Sequence, residues 1–320
     1  NRPKRHINKE NNYFKTDSQY FAMRRVICFL AAALPALIIS AGILAPGTCI
    51  AAEPGTAVSL FLKSDMVQVR EIASEEGNLY KKVGHHGPAV ENRYAAFRIY
   101  FNDSGAVDVY SKSGEQMELL KYLWYPTEQQ MLEEGAGCDE YRVGKTVGLG
   151  GIALWDPDKG EEVKLVATKG RTARVGDTAR GSFAEMISYG VPYMGRLVDI
   201  SIRIDVRDDS RFARVTARSL DGSKVRFLTG VNYHQGELTG VAPGRLWAWG
   251  VHPADVSRHP IPIGGGMYYR DRIFPRQDKT DDMLRIISVP RRKVHTLILT
   301  ASTKETELGT PEAFSAMFDR

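Results

Sequence analysis

The chain reads as an all-β protein, a large antiparallel β-sandwich with few short helices. Three observations predict it. The stretch Leu197–Val206 alternates strictly, with Val198, Ile200, Ile202, Ile204 and Val206 opposed by Asp199, Ser201, Arg203 and Asp205, the signature of a half-buried strand. About fourteen short stretches of this kind follow one another at hairpin spacing, punctuated by Gly, Asp and Asn. Helical periodicity is confined to Thr127–Glu134 and Pro311–Phe318.

In order, Val58–Leu62 and Val67–Ile72 alternate across Lys63-Ser64-Asp65 and begin a meander. Residues 84–112 read as a β-hairpin whose turn is Asn102-Asp103-Ser104-Gly105, residues that favour tight turns. Leu119–Tyr125 is closed by Pro126, and an acidic helical piece, Thr127–Glu134, follows. Tyr141–Trp155 is a run punctuated by glycines. Its Gly148-Leu149-Gly150-Gly151 lacks the spacing of a dinucleotide loop, and strand-like residues follow it where such a loop would open a helix. Val163–Thr168, Ser182–Tyr189, Phe212–Leu220, Arg226–His234, Gly244–Val251 and Val294–Ser302 supply further strands.

The amino end has a different character. Residues 1–22 are polar and patternless, a leader outside the fold. Residues 23–52 read as a signal peptide: Met23-Arg24-Arg25 is a basic start, Val26–Leu44 is apolar, and Thr48–Ala52 offers small residues for cleavage. Residues 53–320 then form a single β-sandwich domain, periplasmic or secreted, with no membrane association after cleavage. Residues 1–52 hold 7 Lys+Arg against 2 Asp+Glu, a surplus of +5 that equals the net charge of the whole chain. The remainder is neutral and carries no basic stripe, so nucleic acid is excluded as a partner. Of three cysteines only Cys138 lies beyond the signal; no disulfide framework is available and the core must hold the fold.

Candidate functional residues cluster in the hairpin. Phe97, Ile99 and Phe101 share one parity and suit a core, whereas Asn92, Tyr94, Arg98 and Tyr100 share the other, with Asp108, Tyr110 and Lys112 on the return strand. That face suits the floor of a polar cleft, with His85, His86 and Glu91 at its entry. His86 and His234 are candidate bases, Glu91 their orienting carboxylate and Tyr100 a candidate acid. His252, His259 and His295 read as structural. Trp124-Tyr125, Trp247 and Trp249 suit stacking on sugar rings or a core equally. No pair of histidines has helical metal-ligand spacing, so no metal and no cofactor is assigned; only convergence of His85, His86, Asp139 and His234 would make a metal site.

The segments His86-Gly87-Pro88-Ala89, Glu91-Asn92, Phe97–Phe101, Asp108–Lys112, Trp124-Tyr125-Pro126, Gly137-Cys138-Asp139, Arg142-Val143-Gly144 and Gly148–Gly151 together resemble the domain-of-unknown-function family 4861. The resemblance implies a galactose-mutarotase-like supersandwich in a secreted protein of polysaccharide degradation. It implies lyase or dehydratase chemistry on oligosaccharides containing uronic acid. Arg98 and Lys112 would then hold the sugar carboxylate, with Asn92, Tyr94, Asp108, Tyr125 and Trp249 completing the substrate site. Non-catalytic glycan binding and mutarotation or epimerisation are the alternatives.

Overall fold

Strict alternation yields long strands here because each inward side chain finds a partner layer. In the strand Arg196–Arg207, Val198, Ile200, Ile202, Ile204 and Val206 are all buried. Ile202 sits opposite Met186 on one neighbour and Ala217 on the other. The computed structural model describes residues 55–123, 126–254 and 259–319, all within one compact unit, Ala52–Arg320. The expected leader and signal peptide lie outside the described residues, as does Tyr125.

Nine antiparallel strands form the largest sheet. From edge to edge they are Leu238–Ala242, Arg245–Gly250, Ile263–Tyr268, Lys293–Ser302, Ala213–Ser219, Arg196–Arg207, Gly181–Tyr193, Arg171–Thr178 and Glu71–Ser74. A four-stranded sheet, Thr56–Ser59, Ala89–Asn92, Ala96–Ile99 and Val107–Tyr110, contacts the strands Gly181–Tyr193 and Arg196–Arg207. A five-stranded sheet, Arg276–Lys279, Met283–Ile287, Phe227–Asn232, Ala153–Asp156 and Glu161–Val163, contacts Arg245–Gly250 and Ile263–Tyr268. One continuous core joins the three sheets, with Phe97, Ile202, Phe227 and Ile298 among its members. This is the expected all-β architecture of large antiparallel sheets.

The other face of the large sheet is covered by a short helix, Pro311–Ala316, capped by the Thr310 side chain. Its Phe314, and Phe318 just beyond it, pack on Trp249 and Tyr268. Trp249 is 4% exposed, with its ring centroid 5.2 Å from that of Phe314. It therefore belongs to this core, and stacking on a substrate is closed to it. The second helix, Glu128–Glu133, has a full capping box between Thr127 and Gln130.

Ile263–Tyr268 is a strand that glycine content hides. A Cβ at Gly264 would lie 2.4 Å from the Trp249 ring, and one at Gly266 would lie 2.0 Å from Phe318. The glycines are there to admit aromatics from neighbouring elements. Strand propensity alone argues against them.

The hairpin region departs from expectation at one point. Residues 89–101 do not form one strand: Asn92 Oδ1 accepts from the backbone N–H groups of Tyr94 and Ala95 at 2.9 and 3.0 Å. This side-chain-closed turn folds Ala89–Asn92 back on Ala96–Ile99, with Val90 opposite Phe97. The second half holds as read, with Arg98 opposite Asp108 and Phe97 opposite Val109. In the glycine-punctuated region the strand-like residues after Gly151 do form a strand, Ala153–Asp156. Gly148 has φ +70°, and a Cβ there would lie 2.1 Å from the Val107 carbonyl oxygen. The run is thus a turn laid along Val107, whose N–H donates to Val147 O and whose carbonyl accepts from Leu149 N.

Candidate active site

Arg98 and Asp108 face each other because they are register partners on adjacent strands. Arg98 donates from Nε (3.0 Å) and Nη2 (2.5 Å) to Asp108 Oδ2, and from Nη2 (2.6 Å) to Asp139 Oδ2. The Tyr100 hydroxyl donates to the same Asp108 oxygen at 2.5 Å. Asp139 arrives from the loop after Gly137, which is pinned to the hairpin by paired backbone hydrogen bonds between Ser111 and Cys138. Tyr100, Asp108 and Asp139 floor a cleft of about 210 Å³, walled by Tyr80, Tyr141, Arg142, Val143 and Gly144.

The electrostatics separate the two carboxyls. Burial pushes the Asp139 carboxyl up to about 7, with Asp108 adding to the shift and Arg98 opposing it. Tyr100 is held well above its ordinary value, chiefly by burial and then by Asp108. It is a hydrogen-bond donor and not a phenolate. One guanidinium therefore serves two carboxyls, one of which can carry a proton near neutral pH.

His86 stands at the edge of this cleft. Its ring stacks on Tyr80 at 4.0 Å, and its centroid is 6.3 Å from that of Tyr100. Nδ1 lies 2.8 Å from the Tyr80 carbonyl. A carbonyl only accepts, so Nδ1 carries the proton and Nε2 presents the lone pair. Burial lowers the imidazole's pKa below 6.5, which favours the neutral ring near neutral pH. His85 and His86 both have positive φ, 51° and 61°. Such backbone costs about 1–3 kcal/mol per residue and here is held by Gly84 N to Phe61 O and Phe101 N to His86 O. His85 itself is buried, and burial drives its pKa down to about 3.

The remaining sequence candidates are placed as follows. Arg98 is only 7% exposed and already engaged by two carboxylates, so its guanidinium has no free edge for a sugar carboxylate. Glu91 and Lys112 form a fully buried pair at 3.0 Å. Glu91 is taken up by Lys112 and by the backbone N–H groups of Glu118 and Leu119, so it does not orient His86. Asn92 makes its turn and donates to Arg207 O and Ser210 O. Tyr94 lies under the Arg211 guanidinium at 4.5 Å. The turn at Asn92 is what removes both from the cleft face. His234 reaches the cleft wall from behind, with Nε2 3.0 Å from the Arg142 carbonyl.

Sequence reasoning passed over Asp139 as a site residue, together with Tyr80, Tyr141 and Arg142. Their signal was present in the motifs Gly137-Cys138-Asp139 and Arg142-Val143-Gly144, but nothing local says that this loop closes over the hairpin. Arg142 is exposed, and among the described residues its side chain makes one hydrogen bond, to Ala254 O at 3.3 Å. Among the described residues, the histidine and carboxylate grouping with metal-ligand spacing is His234, Glu237 and His252. The foreseen convergence on His85, His86 and Asp139 does not form it.

A family model described as a domain of unknown function (DUF4861) matches residues 54–320. No curated protein matches the chain. Among solved structures, the chain is similar to a 4-alpha-glucanotransferase from Thermococcus litoralis, with a TM-score of 0.30 and 9% identity. The match covers 68% of this chain and 39% of that one.

Proposed function

The chain belongs to the DUF4861 family, and we propose that it is a carbon–oxygen lyase, of lyase or dehydratase type, acting on oligosaccharides that contain uronic acid. The observation that carries the reading is the pair of carboxyls on the floor of a cleft, Asp108 and Asp139, bridged by one buried arginine. Elimination beside a sugar carboxylate needs that charge matched, a base for the adjacent carbon-bound proton, and an acid for the departing oxygen. His86 Nε2 takes the proton. The C–H electron pair becomes the new C=C bond, and the C–O bond breaks towards oxygen, which receives the proton of Asp139. Water returns the proton from His86 to Asp139 between turnovers. Asp108 stays fixed by Arg98 and Tyr100, and so holds Arg98 in place beneath Asp139.

Arg142 takes the role first given to Arg98, since it lines the cleft, is exposed and makes no ion pair among the described residues. Arg142→Ala should raise KM for a uronate oligosaccharide about tenfold, the worth of one charge-assisted hydrogen bond, with a smaller change in kcat. An unchanged KM would remove Arg142 from substrate binding.

The test of the reaction is ultraviolet absorbance over a panel of uronate oligosaccharides. β-Elimination creates a conjugated unsaturated uronate and absorbance rises; dehydration of an already unsaturated sugar makes it fall. Tight calorimetric binding with no absorbance change would replace the lyase by a glycan-binding module. Interconversion of sugar anomers or epimers without absorbance change would replace it by a mutarotase or epimerase. The same reading places the protein in the periplasm or outside the cell. Amino-terminal sequencing of protein from the cell envelope should begin near Glu53, and recovery of Val26–Leu44 still attached would overturn export with cleavage.

A further inference from the structure

We propose that His234, Glu237 and His252 bind a divalent transition-metal ion of the zinc class, behind the cleft wall formed by Tyr141 and Arg142. One ligand atom from each residue lies within 4.8 Å of the other two. Oε1 of Glu237 is 3.6 Å from Nε2 of His252. That is too long for a hydrogen bond and close to the separation of about 3.3 Å expected for two ligands on one tetrahedral zinc ion with bonds of about 2.0 Å.

A second, independent observation is the state of the carboxylate. The Glu237 side chain is 2% exposed, yet neither oxygen has a hydrogen bond of good geometry; the His234 backbone N–H favours its charged form without closing one. Buried carboxylates in folded proteins are paired, hydrogen-bonded or bound to metal. The Tyr141 hydroxyl and Asn232 Oδ1 are also buried with no hydrogen bond of good geometry, and the Tyr141 hydroxyl feels the Glu237 charge. Tyr141 and His252 have ring centroids 4.5 Å apart, and Asn232 donates from Nδ2 to the Arg142 carbonyl. A buried carboxylate without a hydrogen bond of good geometry is a group that a cation would satisfy.

The hydrogen bond at His234 suits ligation. His234 donates Nε2–H to the Arg142 carbonyl, which orients the ring and leaves Nδ1 as the ligand. His234 is half-buried, whereas His252 is fully buried, so the ion has a path in from the His234 side. His252 must bind through Nε2, and its proton then resides on Nδ1. At present Nδ1 accepts from the Arg142 backbone N–H at 2.9 Å, so loading requires the proton to move to Nδ1 and the Arg142 backbone to shift away from it. The set of two imidazoles and one carboxylate leaves a fourth position to water and favours zinc over calcium or magnesium, which take oxygen ligands.

The experiment is calorimetric titration of chelator-treated protein with zinc chloride, repeated for His234→Ala and Glu237→Gln, with cobalt(II) absorbance as a second readout. The wild type should bind one equivalent, and cobalt should give the visible bands of a four-coordinate site. Each variant should lose roughly a hundredfold or more in affinity, at or beyond the upper end of what loss of a supporting partner costs. His234→Ala removes a half-exposed side chain and keeps the fold, which circular dichroism checks. The proposal is overturned if the wild type takes up no zinc, or if both variants bind it as the wild type does, which would move the ion to another site.

Discussion

Asp139→Asn should lower turnover of a uronate oligosaccharide by roughly a hundredfold to ten-thousandfold, the range attributed to one positioned proton donor. The amide matches the carboxyl in size and leaves Arg98 balanced by Asp108, so the loss would be chemical. The pH profile adds a signature. With the carboxyl pushed up to about 7, the acid form is lost as pH rises through that value and the wild-type rate falls on the alkaline side. The rate also falls on the acid side, as His86, with a pKa below 6.5, gains a proton. The variant should keep the acid limb and lose the alkaline one.

Stability has its own dependence on this carboxyl. A carboxyl whose folded pKa lies above the unfolded value of 3.8 contributes stability that is present below that value and lost as pH rises through about 7. Asp139→Asn should therefore melt no lower than the wild type at pH 8. Wild-type turnover with an unchanged alkaline limb would dismiss Asp139 as the acid.

Glu91→Ala should destabilise the protein by about 3–5 kcal/mol, the usual result of stripping one partner from a buried ion pair. Lys112 would be left with a side chain 1% exposed and only the Asn92 carbonyl for its ammonium group. The N–H groups of Glu118 and Leu119 would lose their acceptor. Against a total stability of about 5–15 kcal/mol, that is a large fraction. Denaturant unfolding measures it, and Glu91→Ala with Lys112→Met should recover much of the loss because no charge is then buried alone. A Glu91→Ala variant as stable as the wild type, yet with reduced turnover, would restore the catalytic role that the sequence suggested.

Local pattern accounted for what depends on local physics. The alternation of Leu197–Val206, the capped helix at Glu128–Glu133 and the pairing of Arg98 with the return strand all follow from periodicity and turn chemistry. So does the presence of polar groups opposite Phe97 and Ile99. Strands rich in glycine or charge escaped, because Ile263–Tyr268 and Arg276–Lys279 take their conformation from neighbours and not from their own side chains.

Tertiary structure alone decided how charges are matched. From sequence, Arg98 and Lys112 are two cations on a polar face in need of an acidic ligand. In the fold Lys112 meets Glu91 from 21 residues away, and Arg98 meets Asp139 from 41 residues away. Pairing of charges is a property of distance in space, and a loop that closes over a hairpin leaves no periodic trace in the chain. Asn92 shows the same limit on a smaller scale. Alternation runs straight through it, yet its side chain caps two backbone amides and reverses the strand. Sequence by itself thus established an all-β chain with a polar hairpin face at its centre; the burial that pushes the Asp139 carboxyl up comes from a loop that only the fold brings over that face.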